Sequence, residues 1–159
     1  REKKIARDSA IAASCDSSTV SSRGHKFDES LRFPIIIDGY VESRDGSDEK
    51  YEIESIPTQY STRKFVAMME GLGISADLDR SKSGRSIRAG KGTMRGRKYR
   101  TPKSVLLVVA QKGGLEKAAR NLPGVDVVTA KDLCAEDLAP GGDMGRLTVW
   151  TKSAIESLE

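Results

Sequence analysis

Apolar residues along this chain fall into two alternating patterns. Compact runs of strand length occur at FPIIID (33–38), SVLLVVA (104–110), VDVVTA (125–130) and RLTVWT (146–151). Such runs, rich in β-branched residues and short of polar interruptions, suit strands buried on both faces. Between them, apolar residues recur at helical spacing. Ile5, Ala6, Ala10, Ile11 and Ala13 predict an amphipathic helix over 1–14, and Phe65, Val66, Met68, Met69 and Leu72 predict another in TRKFVAMMEGLG, closed by Gly71 and Gly73. GLEKAARNLPG reads as a helix stopped by Pro123 and Gly124, and KSAIESLE as a closing helix. SSTVSSRGH predicts a short helix with Gly24 in the left-handed position beyond its end. Three segments carry weaker patterns: ISADLD (74–79) reads as a short strand, SRDGSDEKYEIES as an exposed excursion, and DLCAEDLAPGGDMG as a loop rich in glycine.

Strands that alternate with helices and are apolar on both faces require a mostly parallel sheet with helices on its two sides, a doubly wound α/β fold. At 159 residues the chain has the length of one such domain, so we read 1–159 as a single unit. No run of 18 apolar residues exists, and no membrane span is predicted. There is no secretory signal, and a start at Arg1 rather than Met is expected of a fragment or processed product.

The net charge of +4 conceals where the charge lies. Residues 80–103 hold ten Lys or Arg and no acidic residue, which leaves 17 basic against 23 acidic residues in the remainder. A basic segment set into an acidic body marks a polyanion partner. Within it, SIRAGKGTMRGRKYRTPK (86–103) could be a phosphate-cradling glycine loop, a nucleic-acid contact or a solvated linker. Gly90, Gly92 and Gly96 are spaced G-x-G-x-x-x-G, one residue off the dinucleotide fingerprint, and the segment is not a P-loop. A phosphate loop also needs a strand before it and a helix after it, whereas here the strongest strand comes after. The nucleic-acid reading accounts for more: cations neutralise phosphates, glycines permit close backbone approach, and Tyr99 offers a stacking face.

Other chemistry is sparse. Cys15 and Cys134 are far apart, without CxxC spacing, and read as reduced, buried small residues rather than a disulfide. His25 is the one histidine; a zinc site needs about four ligands, so His25 reads as a surface or cap residue. There is no G-x-S-x-G and no evident Ser or Cys relay to His25. The carboxylate pairs Asp77 with Asp79, and Glu136 with Asp137, read as loop and cap residues. No catalytic site and no cofactor site is predicted.

RGHKFDE, IRAGKGTMRGRKYR, ARNLPGVDVV and DLAPGGDMGRLTVWTKSA, in this order, resemble the ribosomal protein L-four family in its archaeal and eukaryotic form, over nearly the whole chain. The resemblance implies a doubly wound body seated on ribosomal RNA of the large subunit, beside neighbouring ribosomal proteins in the cytoplasm. It implies a structural role in assembly and translation, without enzymatic activity, membrane contact or small-molecule substrate. Carried onto this chain, the RNA contacts are Arg88, Lys91, Arg95, Arg97, Lys98, Tyr99 and Arg100, and the basic segment adds Arg85 and Lys103 at its two ends. Gly141, Gly142 and Gly145 match the family's tight turn before the last strand, with Arg146 as a further candidate contact. Lys152 departs from the family, which has an acidic residue there. The resemblance also implies that this is a C-terminal portion, lacking the family's N-terminal strand and extended loop. The exposed sheet edge is then expected to be covered by another chain. The alternative reading from another class is a nucleotide-binding doubly wound enzyme; a third is a module that binds an acidic protein.

Overall fold

A computed structural model describes residues 1–44, 47–52 and 61–158, with backbone alone for 39–44 and 47–52. Four parallel strands form the central sheet: β1 (Ile35–Ile37), β6 (Leu106–Val109), β7 (Asp126–Thr129) and β8 (Thr148–Thr151), in the order β1-β8-β6-β7. Between β1 and β6 lie two small antiparallel pairs, β2 (Gly39–Arg44) with β3 (Ser47–Glu52), and β4 (Ser86–Ile87) with β5 (Tyr99–Arg100). The helices are α1 (Glu2–Ser14), α2 (Ser17–Ser22), α3 (Thr62–Gly71), α4 (Ser75–Ser83), α5 (Gly114–Ala119), α6 (Ala135–Leu138) and α7 (Lys152–Glu156).

Side chains alternate across a strand, so each apolar run feeds two cores. Val105, Leu107 and Val109 pack with Leu147 and Val149 against Phe65 and Met69 of α3, Leu78 of α4 and Leu115 of α5. Leu106, Val108 and Trp150 pack on the other face against Ala10 of α1, Leu138 of α6 and Ala154 of α7. The predicted doubly wound sheet is therefore present, with helices on both faces. The two outer strands are less buried than the sequence implies. VDVVTA was expected to be a buried strand, but β7 is half-buried throughout, and Ile36 of β1 is 52% exposed. Each pairs on one side only among the described residues. Of the expected polar excursion, residues 43–44 and 47–52 lie in the β2–β3 hairpin, and 45–46 and 53–55 lie outside the described residues.

ISADLD is not a strand: it is the start of α4. Gly73, at φ +71°, turns the chain out of α3, and a Cβ there would run into the Asp28 carboxyl. Ile74, Asp77, Leu78 and Ser81 are then buried at i, i+3, i+4 and i+7, one face of a helix in which two of the four positions are polar. The expected glycine-rich loop at 132–145 likewise contains the single turn of α6 and a 3-10 turn, Pro140–Gly142.

Asp77 is fully buried, not the loop or cap residue expected. Its carboxylate accepts from Ser104 Oγ at 2.6 Å, Arg80 Nε at 2.8 Å and the Lys26 backbone N–H at 3.0 Å, and both its oxygens lie 3.1 Å from His25 Nδ1. His25 is 6% exposed, so the surface assignment fails as well. Beside a carboxylate, Nδ1 must carry the proton and donate, which makes the 3.3 Å approach of Arg80 Nη2 to it a packing contact. Ser, His and Asp thus meet, but with the carboxylate between the other two. That order braces three chain segments and leaves the serine oxygen buried as a donor rather than poised as a nucleophile.

A second brace adjoins the first. Arg146, expected as a candidate RNA contact, is 1% exposed. It donates to the carbonyls of Ser104 (3.0 Å), Asp137 (2.9 Å) and Gly124 (3.3 Å) and to the Asp126 carboxylate (2.5 Å). Neither cysteine is in a disulfide, as expected, but neither is buried: Cys15 is half-buried and Cys134 is exposed. Cys134 caps α6, its thiol donating to Asp137 at 2.9 Å, and that bond and its partial burial push the thiol pKa up. Lys152 stands 3.6 Å from Asp38.

Burial alone would raise the Asp77 pKa, but the donors His25, Arg80 and Ser104 hold it well below the carboxylate range. A native pKa below the unfolded value gives stability that is complete above about pH 4 and is lost as pH falls towards the native pKa. Asp77→Asn should therefore cost about 3 kcal/mol or more at pH 7, since it leaves buried donors unpaired. It should also flatten the loss of stability below about pH 4. Urea unfolding at a series of pH values checks both, and a variant as stable as the parent would overturn the brace.

Candidate nucleic-acid interface

The basic segment forms a hairpin-like lobe standing on the two braces. Ser86 pairs with Arg100 and Ile87 with Tyr99, and the Arg88 N–H donates to the Lys98 carbonyl at 2.8 Å. At the tip, Arg97 N–H donates to Gly92 O at 3.0 Å, Thr93 Oγ1 donates to Arg88 O, and Gly90 and Gly96 take φ of +91° and +77°. Neither of those two glycines has an atom near where a Cβ would stand, so they are required for conformation rather than for space. The base is clamped: Arg80 Nη2 donates to Lys103 O at 2.8 Å, and Ser81 Oγ lies 2.8 Å from both Pro102 O and Pro123 O.

All nine sequence-predicted site residues are brought onto this one lobe and its foot, and all are exposed. Among the described residues, only Lys103 of their eight cations pairs with a carboxylate, Asp126 at 2.8 Å. Tyr99 carries the Arg85 guanidinium 4.0 Å from its ring centroid, with Lys98 Nζ at 5.7 Å. Arg88 Nε donates to Tyr99 O at 3.1 Å, which fixes that side chain across the β4–β5 ladder. The glycines do not cradle a phosphate at a helix start, because the chain after them runs into β5 and then β6.

Two hollows open beside the lobe. One, of about 440 Å³, is lined by Ile87, Arg88, Ala89, Gly92, Arg97 and Arg100. The other, of about 610 Å³, is lined by Arg23, Arg80, Arg88, Arg100, Lys103 and the 140–143 loop. Arg88 and Arg100 form a wall common to both. Sequence reasoning did not assign Arg23 or Arg80 to the site. Arg80 lies in the counted basic segment, but Arg23 is 57 positions from Arg80, and no periodicity joins them. Arg23 is held by the carbonyls of Asp143 and, at 2.9 Å, Pro140. Burial, together with the nearby cations Arg146 and Arg80, presses its pKa down despite Asp143. The 140–145 turn that meets it has φ of +81°, +90° and +85° at Gly141, Gly142 and Gly145, the tight turn expected there. A Cβ on Gly145 would come within 2.6 Å of Thr19 O in α2.

Among the described residues no group of His, Cys, Asp and Glu is placed to hold a metal, and no helix is long and apolar enough to cross a membrane. Similar proteins align with the chain over nearly its whole length. The chain is 45% identical over 158 residues to the large ribosomal subunit protein uL4 of Halobacterium salinarum, covering 99% of this chain and 57% of that protein. It is 46% identical over 158 residues to the protein of the same name from Haloquadratum walsbyi, with the same coverage. To that of Methanocaldococcus jannaschii it is 48% identical over 159 residues, 100% of this chain and 57% of that protein. The chain thus spans somewhat more than half the length of these relatives. The pattern of the ribosomal protein L4/L1 family matches residues 1–159. This chain belongs to the ribosomal protein L4/L1 family.

Proposed function

We propose that the chain is a structural, non-enzymatic constituent of the large ribosomal subunit that binds ribosomal RNA and supports subunit assembly and translation. Its place is then in the ribosome and so in the cytoplasm, beside neighbouring ribosomal proteins, without cofactor or small-molecule substrate. Residues 1–159 act as one α/β unit whose basic lobe is the RNA contact. The observation that carries this reading is the lobe itself: eight exposed cations on a clamped hairpin, seven of them without a carboxylate partner among the described residues. The names of its relatives as large-subunit proteins point the same way.

Affinity on this reading comes from phosphate neutralisation by Arg85, Arg88, Lys91, Arg95, Arg97, Lys98, Arg100 and Lys103, and selectivity from RNA shape and from stacking on Tyr99. Each neutralised phosphate contributes about 0.7–0.9 to the slope of log affinity against log salt. Replacing Arg95, Arg97, Lys98 and Arg100 by Gln should therefore reduce that slope by about 3 in filter binding to large-subunit rRNA. An unchanged slope would remove these residues from the interface. Calorimetric titration with ATP, GTP and NAD is expected to show no stoichiometric binding; tight uptake of any of them would favour a nucleotide enzyme instead.

A further inference from the structure

The cations around the larger hollow do not come from the basic segment alone. Arg23 follows α2, Arg80 lies on α4, Arg88 follows β4, Arg100 ends β5, and Lys103 precedes β6. Folding brings them to one cleft, with the 140–143 loop as its opposite lip. Two of the five are already matched, Arg80 by Asp77 and Lys103 by Asp126. Arg23 meets carbonyls, Arg88 meets the Tyr99 carbonyl, and Arg100 has no side-chain partner among the described residues. Those three keep donor capacity to spare, and it outweighs the one carboxylate that lines the same hollow, Asp143, which faces the Arg23 charge. At about 440 and 610 Å³, the hollows on either side of the wall have the size of ligand sites. A regular RNA helix presents its phosphates on a convex surface and cannot enter both, whereas an unpaired nucleotide splayed from a loop or bulge can.

Resting on the RNA-binding reading above, we infer that Arg88 and Arg100 seat the phosphate of an unpaired, sharply turned RNA segment. The neighbouring phosphate enters the larger hollow against Arg23. The opposite hollow, with Ile87 and Ala89 beside Arg97, takes the adjoining nucleotide. The site therefore selects RNA that can leave its helix, which a flat basic strip does not do.

Thr101 is half-buried and lines the larger hollow, while Met94 is 81% exposed at the lobe tip. Thr101→Glu and Met94→Glu each add one negative charge to the lobe, and only the first places it in the cleft. The test is filter binding of the full 159-residue chain to transcribed archaeal large-subunit rRNA and to fully paired duplex RNA. The wild type should prefer the rRNA. Thr101→Glu should lose about tenfold to a hundredfold on rRNA, the worth of a charge-assisted contact, and no more on duplex than Met94→Glu loses. Thr101→Gln, of the same length without the charge, should bind as the wild type does. Equal losses for the two Glu variants on both RNAs, or a Thr101→Gln loss as large as that of Thr101→Glu, would overturn the cleft. Wild-type binding of both RNAs without preference would overturn it while leaving the RNA reading intact. Binding of neither, or displacement by polyglutamate in preference to rRNA, would remove both.

Discussion

The arrangement of this molecule depends on one buried carboxylate. Asp77 is out of water, and an ionised group there is tolerated only because donors surround it. Those donors come from the turn after α2, from α4 and from the first residue leading into β6. Ser104 then hands the constraint on: its hydroxyl serves Asp77 and its carbonyl serves Arg146, which in turn holds Asp126 and the Asp137 carbonyl. Two polar centres that would each be costly alone are satisfied through one shared residue. The basic lobe stands directly on that joint, since Pro102 and Lys103 offer carbonyls to Ser81 and Arg80.

This explains which parts of the fold were legible in the sequence. Strands β6 and β8 and helices α1, α3 and α5 announce themselves through apolar periodicity, because what stabilises them is burial of apolar surface. Helix α4 does not, since half of its inward face is Asp77 and Ser81, and a hydrophobic pattern discards such positions as exposed. His25 and Arg146 were misassigned for the same reason: each is polar, and each is buried by partners distant in sequence. Cys134 erred in the opposite direction, a residue of buried type used at the surface as a cap. The glycine-rich turn at 141–145 was legible because a φ near +85° restricts residue choice directly.

The candidate interface was legible where charge was contiguous and illegible where it was assembled. Nine residues of 85–103 could be named because they are neighbours in the chain. Arg23 reaches the same cleft only because Gly145 allows its turn to press on α2, where a Cβ would meet Thr19 O. That close approach is what lets Arg23 donate to the carbonyls of Asp143 and Pro140 and line the cleft.

A lobe carrying so many like charges raises the question of what keeps it folded. Two unit charges 10 Å apart in water repel by only about 0.4 kcal/mol, and salt reduces this further over a screening length of about 8 Å. The lobe's cations point outwards into solvent, so their repulsion stays in the weak regime, and a two-residue ladder with its glycine turns can hold them. Placing the same charges within the protein would have required carboxylate partners, as Arg80 and Arg146 both have. The protein thus separates its cations into two populations. Arg80 and Arg146 are neutralised by Asp77 and Asp126 and fix the frame, whereas seven of the lobe's eight exposed cations have no carboxylate partner among the described residues. Because the frame already fixes the lobe's foot, a polyanion that binds there has less of the ordering cost to meet, and more of the electrostatic attraction appears as affinity.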